Sequence, residues 1–392
     1  MKKKGGKKKQ KRIGYRIIIP SILLFSIIIV ATLFFLYLRN LKSDHSAVVF
    51  EESYKYVSDL QKKITEVEKA IYDALYRSEI TDKDVLFSAV LPRHKEGYEW
   101  EFTELTVYYP KEKPDNEIQR IIEQALTKLY PSVQYNIEKK SRDKEVFNIY
   151  ALGFYTHRIN LIKKTRIIDR TKRKPRIGII IDDLGYDVKK AVPFINFEPK
   201  LSLSVLPQAP YAQEIAKLVL KEKRDLLLHL PMEPKNYPHI NPGPGTLLTS
   251  MSDEQLSREL NLELNSIKGI VGVNNHMGSV FTERRDKMSI VLREIGRRDL
   301  FFIDSRTTAK SVAFDLAGSM GIPTAKRSVF IDNDLSPEAI KYQIERLIGL
   351  ARHSSGAIGI AHPHQMTLDI FREYQTRFRN EIKLVPVSEI VH

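Results

Sequence analysis

Cysteine is absent from all 392 residues, which excludes a disulfide framework, thiolate catalysis and any sulfur-bound metal. A metal in this chain must therefore be held by His, Asp or Glu. Tryptophan occurs once, and residues 1–16 contain no acid against nine Lys or Arg. The formal net charge of +15 is local, because residues 163–176 add eight more Lys or Arg against the single Asp169. A nucleic-acid binder spreads its basic groups over a folded face with aromatics between them. A basic tail and a basic connector do not, so no nucleic-acid partner is expected.

Only residues 17–38 form an uncharged apolar run long enough to cross a bilayer. The run ends at Leu36, Tyr37, Leu38 and Arg39 without the small residues of a cleavage site, so it reads as an uncleaved transmembrane anchor rather than a signal peptide. The positive-inside rule keeps the basic tail 1–16 cytoplasmic. The expectation is a single-pass inner-membrane protein whose remaining residues are periplasmic or extracellular.

From Ser46 to Arg77 apolar residues such as Val57, Leu60, Ile64, Val67 and Ile71 recur at helical spacing. A strand over Tyr98–Tyr109, a helix over Asn116–Tyr130 and strands at Val133–Glu138 and Val146–Tyr155 follow, so residues 46–162 are expected to form a small membrane-proximal α+β domain. It carries no catalytic cluster, and Trp100 with the tyrosines marks either a core or a binding face. An envelope protein partner, if there is one, would bind here. Residues 163–176 read as a linker.

Beyond the linker, short apolar strands alternate with helices. Candidate strands are Ile177–Ile181, Leu201–Leu206, Asp225–Leu230, Ile270–Val273, Leu300–Ile303, Val329–Ile331, Ala357–Ala361 and Lys383–Val385. Ser252 with Gln255, and Ser336 with Pro337, read as helix starts between them. This alternation predicts parallel strands with helical crossovers, and residues 177–392 suit one irregular (β/α) barrel.

Chemistry-bearing residues fall where these strands end. Asp182 and Asp183 close the first, His229 follows Leu226–Leu228, and Asn274, Asn275 and His276 follow Ile270–Val273. Asp304 follows Phe301–Ile303, and His362 and His364 follow Ile358–Ala361. One such histidine is usually a structural group, but several endings on one barrel rim are the pattern of a catalytic mouth. Adjacent carboxylates also resist joint ionisation unless a cation or shared proton relieves them. Asp and His donors without Cys suit a divalent metal, with Zn²⁺ the best fit, equipped for hydrolysis.

In order along the chain stand Ile179-Ile-Ile-Asp-Asp-Leu-Gly185, Leu203-Ser-Val-Leu-Pro207, Leu228-His-Leu-Pro-Met-Glu-Pro234, Asn241-Pro-Gly-Pro-Gly245, Gly272-Val-Asn-Asn-His-Met-Gly-Ser279, Phe302-Ile-Asp-Ser-Arg306 and Ala361-His-Pro-His364. With these motifs, residues 175–392 resemble the divergent polysaccharide deacetylases, a distant branch of the metal-dependent polysaccharide deacetylases. The resemblance implies a deacetylase-type barrel acting on a carbohydrate, with Asp182 as general base, Asp183 as metal ligand and His362 as catalytic acid. His229 and His276 are our choices for the other ligands, and Asn275 or a backbone N–H is the candidate oxyanion donor.

The pattern also departs from the wider family, which places two metal-binding histidines four positions apart. Four residues after His229 stands Glu233. Either Glu233 or His276 is then the third ligand; His276 is preferred, because Glu233 lies between Met232 and Pro234 and could bind substrate or cap the loop instead. Asp304 and Arg306 are either substrate contacts or an ion pair. The expected function is an anchored, metal-dependent carbohydrate deacetylase, and the alternative is a non-catalytic envelope protein whose degenerate barrel binds glycan or protein.

Overall fold

The structure is a computed structural model that describes residues 59–392 except 82–83, 97, 115, 164–173 and 198. The basic tail and the expected anchor at 17–38 lie outside the described residues.

The first layer is built from α1 (Asp59–Arg77), β1 (Val85–Lys95), β2 (Tyr98–Tyr109), α2 (Glu117–Thr127), β3 (Val133–Ser141), β4 (Lys144–Ala151) and β5 (Phe154–Lys163). The strands form one sheet in the order β1-β2-β5-β4-β3. Leu60, Ile64, Val67 and Ile71, spaced as one helical face, bury against it together with Ile118, Ile122 and Leu126 of α2. The expected single strand at Val146–Tyr155 is instead a hairpin. Leu152 and Gly153 take φ of 50° and 83°, the left-handed pair of a tight two-residue turn, which the apolar run around them masks. The strand β1 is a further element, one that the sequence pattern does not announce.

The second layer is a parallel sheet in the order β11-β10-β9-β8-β7-β6-β13-β12, with β14 beside β6. Its strands are β6 (Arg176–Leu184), β7 (Ser202–Val205), β8 (Leu226–Met232), β9 (Gly272–Met277), β10 (Phe301–Asp304), β11 (Thr324–Lys326), β12 (Val329–Phe330), β13 (Ala357–Ala361) and β14 (Lys383–Leu384). Helices α3 (Val188–Ile195), α4 (Ala212–Lys221), α5 (Asp253–Ser266), α6 (Arg285–Arg297), α7 (Ala313–Ser319), α8 (Pro337–Arg352) and α9 (Gln365–Asn380) connect them. Ser252 and Gln255 make the capping box that starts α5. The two edge strands are one extended run, pairing with β10 through Thr324–Lys326 and with β13 through Val329 and Phe330. Two residues, Arg327 and Ser328, carry the chain between them. The sheet is therefore curled into a half-closed barrel, bonded on only one side at each level of that seam.

Side-chain parity positions the site. Ile177, Ile179, Ile181, Leu226, Leu228, Leu230, Val273 and Phe302 pack in the larger core with the helices. Ile180, Leu227, Phe301, Ile303, Ile358 and Ile360 fill the smaller cluster inside the curl, with Val387 and Ile390 of the final segment. Because successive residues alternate faces, the inner face continues past the strand ends to Asp182, His229, Asn274, His276, Ser305 and His362.

The layers, which belong to one compact unit, meet at α8. Tyr342 of α8 inserts edge-on between Tyr72 and Phe87, at ring distances of 5.9 and 5.2 Å. Beside it the buried Arg346 pairs with Glu68 at 3.6 Å and with Glu101. A single β-carbon added at Gly349 would sit 2.4 Å from Phe87 Cβ, so the close approach of α8 to β1 depends on that glycine.

Candidate metal centre

Asp182 and Asp183 are neighbours in sequence, and in a regular strand they would face opposite sides. They do not, because β6 breaks register with β7 between Ile181 and Leu184 and Asp183 takes a φ of 56°. The bulge turns both carboxylates toward the mouth. A left-handed φ on a residue other than glycine costs about 1–3 kcal/mol and persists only where its surroundings hold it.

His229 and His276 close on Asp183. Its Oδ1 lies 3.0 Å from His229 Nε2 and 3.0 Å from His276 Nδ1, and those two nitrogens are 3.2 Å apart. All three side chains are buried. Two ring nitrogens converging on one oxygen leave too few protons to bond every edge of this triangle. Ligands at roughly 2.0–2.1 Å around a tetrahedral ion are separated by about 3.3 Å, close to the edges seen. The oxygens of Asp183 also accept no hydrogen bond, although they are buried. These residues fit a divalent cation.

Asn274 braces the group. Its Nδ2 donates to both oxygens of Asp182 at 3.0 Å and reaches Ser305 Oγ at 3.3 Å. Its Oδ1 accepts from Ser204 Oγ at 2.5 Å and stands 3.2 Å from His229 Nδ1. A proton on His229 Nδ1 leaves the Nε2 lone pair facing the triangle, the usual arrangement of a ligating histidine. Burial, only partly offset by His229 and His362, raises the Asp182 carboxyl above the ordinary carboxylate range. Burial acts the same way on Asp183, but His276 and His229 together outweigh it and hold that carboxyl well below the range.

Across the mouth, His362 Nε2 is 3.9 Å from Asp183 Oδ2. Its other nitrogen, Nδ1, is 2.9 Å from Asp332 Oδ1, and its backbone N–H donates to Asp332 Oδ2 at 2.7 Å. Thr367 Oγ1 also donates to Asp332, at 2.7 Å, and the ring stacks on Phe330. His364 is half-buried beside it, with burial lowering its pKa. Asp332 is absent from the sequence-derived site. It directly follows the strand Val329–Ile331, so the strand-end rule that found the others also applies to it.

The remaining sequence-derived residues stand apart from the triangle. Glu233 accepts from the Thr249 backbone N–H at 2.5 Å, and its own carbonyl accepts from Val280 and Phe281, so it ties loops together. Asn275 faces the helix side, donating to Met277 O and accepting from Ser305 N, both at 2.8 Å. It is not aimed at the triangle. Asp304 shares that parity and accepts from the backbone of Arg306 and Phe314 and from Ser311 Oγ. The two side chains form no ion pair: Arg306 gives Asp304 its backbone N–H, and its side chain reaches toward Ala309 O at 3.5 Å.

Residues 179–391 match the divergent polysaccharide deacetylase profile, more than half of the chain. The chain belongs to the divergent polysaccharide deacetylase family. Two family relatives are similar over the same share of this chain, 55%. The uncharacterized protein YibQ of Escherichia coli (strain K12) is 31% identical over 217 residues, 67% of its length. An uncharacterized protein of Haemophilus influenzae (strain ATCC 51907 / DSM 11121 / KW20 / Rd) is 31% identical over 215 residues, 76% of its length. Among solved structures, an uncharacterized protein from Agrobacterium tumefaciens C58 is 26% identical with a TM-score of 0.54, over 56% of this chain and 91% of that one. The family is generally metal-dependent, and among the described residues two groups, Asp183 with His229 and His276 and Asp332 with His362 and His364, have donor atoms close enough to hold such an ion.

Proposed function

We propose that this protein is a membrane-anchored, metal-dependent hydrolase that removes acetyl groups from an envelope polysaccharide or related glycan. One observation carries the reading: Asp182 and His362, each braced by a side chain of opposite hydrogen-bonding sense, flank the Asp183, His229 and His276 triangle. A divalent ion, with Zn²⁺ the best fit to an oxygen and two imidazoles, supplies Lewis acidity toward an acyl oxygen and lowers the pKa of water.

The chain's own residues do the rest. Asp182, its carboxyl raised by burial, accepts the proton of the attacking water. His362 presents Nε2 to the leaving nitrogen or oxygen and donates the proton it needs, while Asp332 holds Nδ1 and fixes the ring. With the basic tail cytoplasmic and the run at 17–38 crossing the bilayer, the barrel works outside the cytoplasmic membrane. The motives for a non-catalytic barrel are the large half of the chain without a catalytic cluster and the missing second histidine after His229. His276 beside Asp183 weakens the second motive and favours the catalytic reading.

The full-length protein in detergent, loaded with Zn²⁺, is expected to release acetate from acetylated envelope oligosaccharides, and Asp182→Asn to lose at least about a hundredfold of that rate while keeping its zinc. Absence of acetate from every acetylated glycan tried, with zinc bound, would refute it.

A further inference from the structure

A second cleft lies beside the mouth. It measures about 1420 Å³ and runs along the barrel seam, between the α1/β1/β2 face of the first layer and the run Thr324–Phe330. At its upper end it is lined by Lys235, Ser279, Arg306 and Asn333. These follow β8, β9, β10 and β12, so that end opens beside the strand ends that carry the triangle.

Its lining is basic. Seven Lys or Arg side chains face it against three acids, and two of those acids, Glu68 and Glu101, are committed to Arg346. Lys235 pairs with Glu283 at 3.9 Å, while two other cations lie over aromatic rings. Arg93 lies 4.2 Å over Phe102, and Lys326 lies 4.7 Å over Phe314. Lys69 and Lys326 are exposed, and among the described residues no ion pair engages Lys69, Arg93 or Lys326. Arg327 is engaged in the wall itself. Its guanidinium donates to Ser305 O and Arg306 O and covers Phe330, which fixes the partition between cleft and mouth. Between the charges the lining carries hydroxyls and amides, among them Thr65, Ser88, Thr307 and Gln343.

We infer that this cleft is a binding site for an anionic glycan strand, bearing carboxylate or phosphate groups, whose end is delivered to the mouth. The inference rests on the deacetylase reading for the identity of the polymer. The cationic lining alone fits any polyanion, while hydroxyl and amide groups beside aromatic rings, leading to a hydrolytic mouth, select a sugar polymer over an acidic peptide. The first layer thereby forms one wall of a substrate channel.

Trp100, the single tryptophan of the chain, lines the cleft and reports occupancy directly. The full-length protein in detergent is titrated with a galacturonate hexamer, a glycerol-phosphate oligomer, a neutral N-acetylglucosamine hexamer and a glutamate hexamer, following Trp100 fluorescence. At least one of the first two is expected to bind about tenfold more tightly than the neutral and peptide hexamers, with affinity falling as salt rises. The two arms tell carboxylate from phosphate. Lys69→Glu with Lys326→Glu, both on exposed side chains, is expected to weaken that binding about tenfold or more, leaving zinc content and acetate release from a short neutral substrate unchanged. Equal binding of the neutral or glutamate hexamer, no binding of either anionic glycan, or an unaffected double variant would overturn the inference. Failure of acetate release with anionic binding intact would instead count against the deacetylase reading alone.

Discussion

Asn274 and Asn275 are adjacent, equally buried and both fully engaged, yet they should answer to different assays. Asn274→Ala removes the donor shared by both oxygens of Asp182 and the acceptor used by Ser204 and His229. A hydrogen bond to a charged group contributes about 1.5–3 kcal/mol and each neutral one about 1 kcal/mol, so the loss is about 3–5 kcal/mol before water refills the space. Asn275→Ala removes two bonds to backbone groups, to Met277 O and from Ser305 N, at about 2 kcal/mol. Both variants should therefore unfold at lower urea than wild type. Only Asn274→Ala frees the His229 ring to turn, and loss of such a brace typically weakens metal binding by about 10–100-fold. Zinc affinity is measured on the metal-free proteins by competition with a chromophoric chelator. The reasoning fails if the two variants weaken zinc equally, or if Asn274→Ala binds it like wild type.

His276→Ala should lose stoichiometric zinc, whereas Glu233→Gln should retain it and lose only about 1 kcal/mol from the contact with Thr249; elemental analysis with urea melts separates them, and the opposite result would make Glu233 the ligand. Asp332→Asn should cut acetate release about 10–100-fold with zinc content unchanged, because it loosens the ring of His362 and touches no member of the triangle; an unchanged rate would remove Asp332 from the machinery. The two adjacent acids should also respond oppositely to pH in the metal-free protein. Asp183, with its folded pKa depressed, contributes stability above the ordinary carboxylate value of about 3.9 and loses it as pH falls. Asp182, with its folded pKa raised, contributes stability that is present below that value and lost as pH rises. Thermal melts from about pH 3 to 7 should show Asp183→Asn falling progressively behind wild type and Asp182→Asn gaining on it, and drift of both variants in one direction would contradict the assignment.

Parity explains why the site was legible in part. The strand ends were readable because β-branched runs stop abruptly at polar residues, and that rule located Asp182, Asp183, His229, His276 and His362. It could not tell which face of each strand points inward, since a strand covered on both sides is apolar on both. Asp304 and Asn275 therefore read as site residues beside others of opposite parity, while Asn274 is named at its strand end without a role and Ser305 is not singled out. The seam shows the same limit for the fold. Thr324–Phe330 is too short and too broken by Lys326, Arg327 and Ser328 to read as one closing strand, although its last part is readable as a strand with Asp332 just beyond its end. The structure resolves the parity: Ile303 lies inside the curl with Ile180, so the face that takes Asp182 also takes Ser305 and leaves out Asp304. Within the described parallel sheet the register shift falls at Asp183, and it is there that two neighbouring acids come to share one mouth. A regular strand would give this barrel a base or a ligand from β6, but not both.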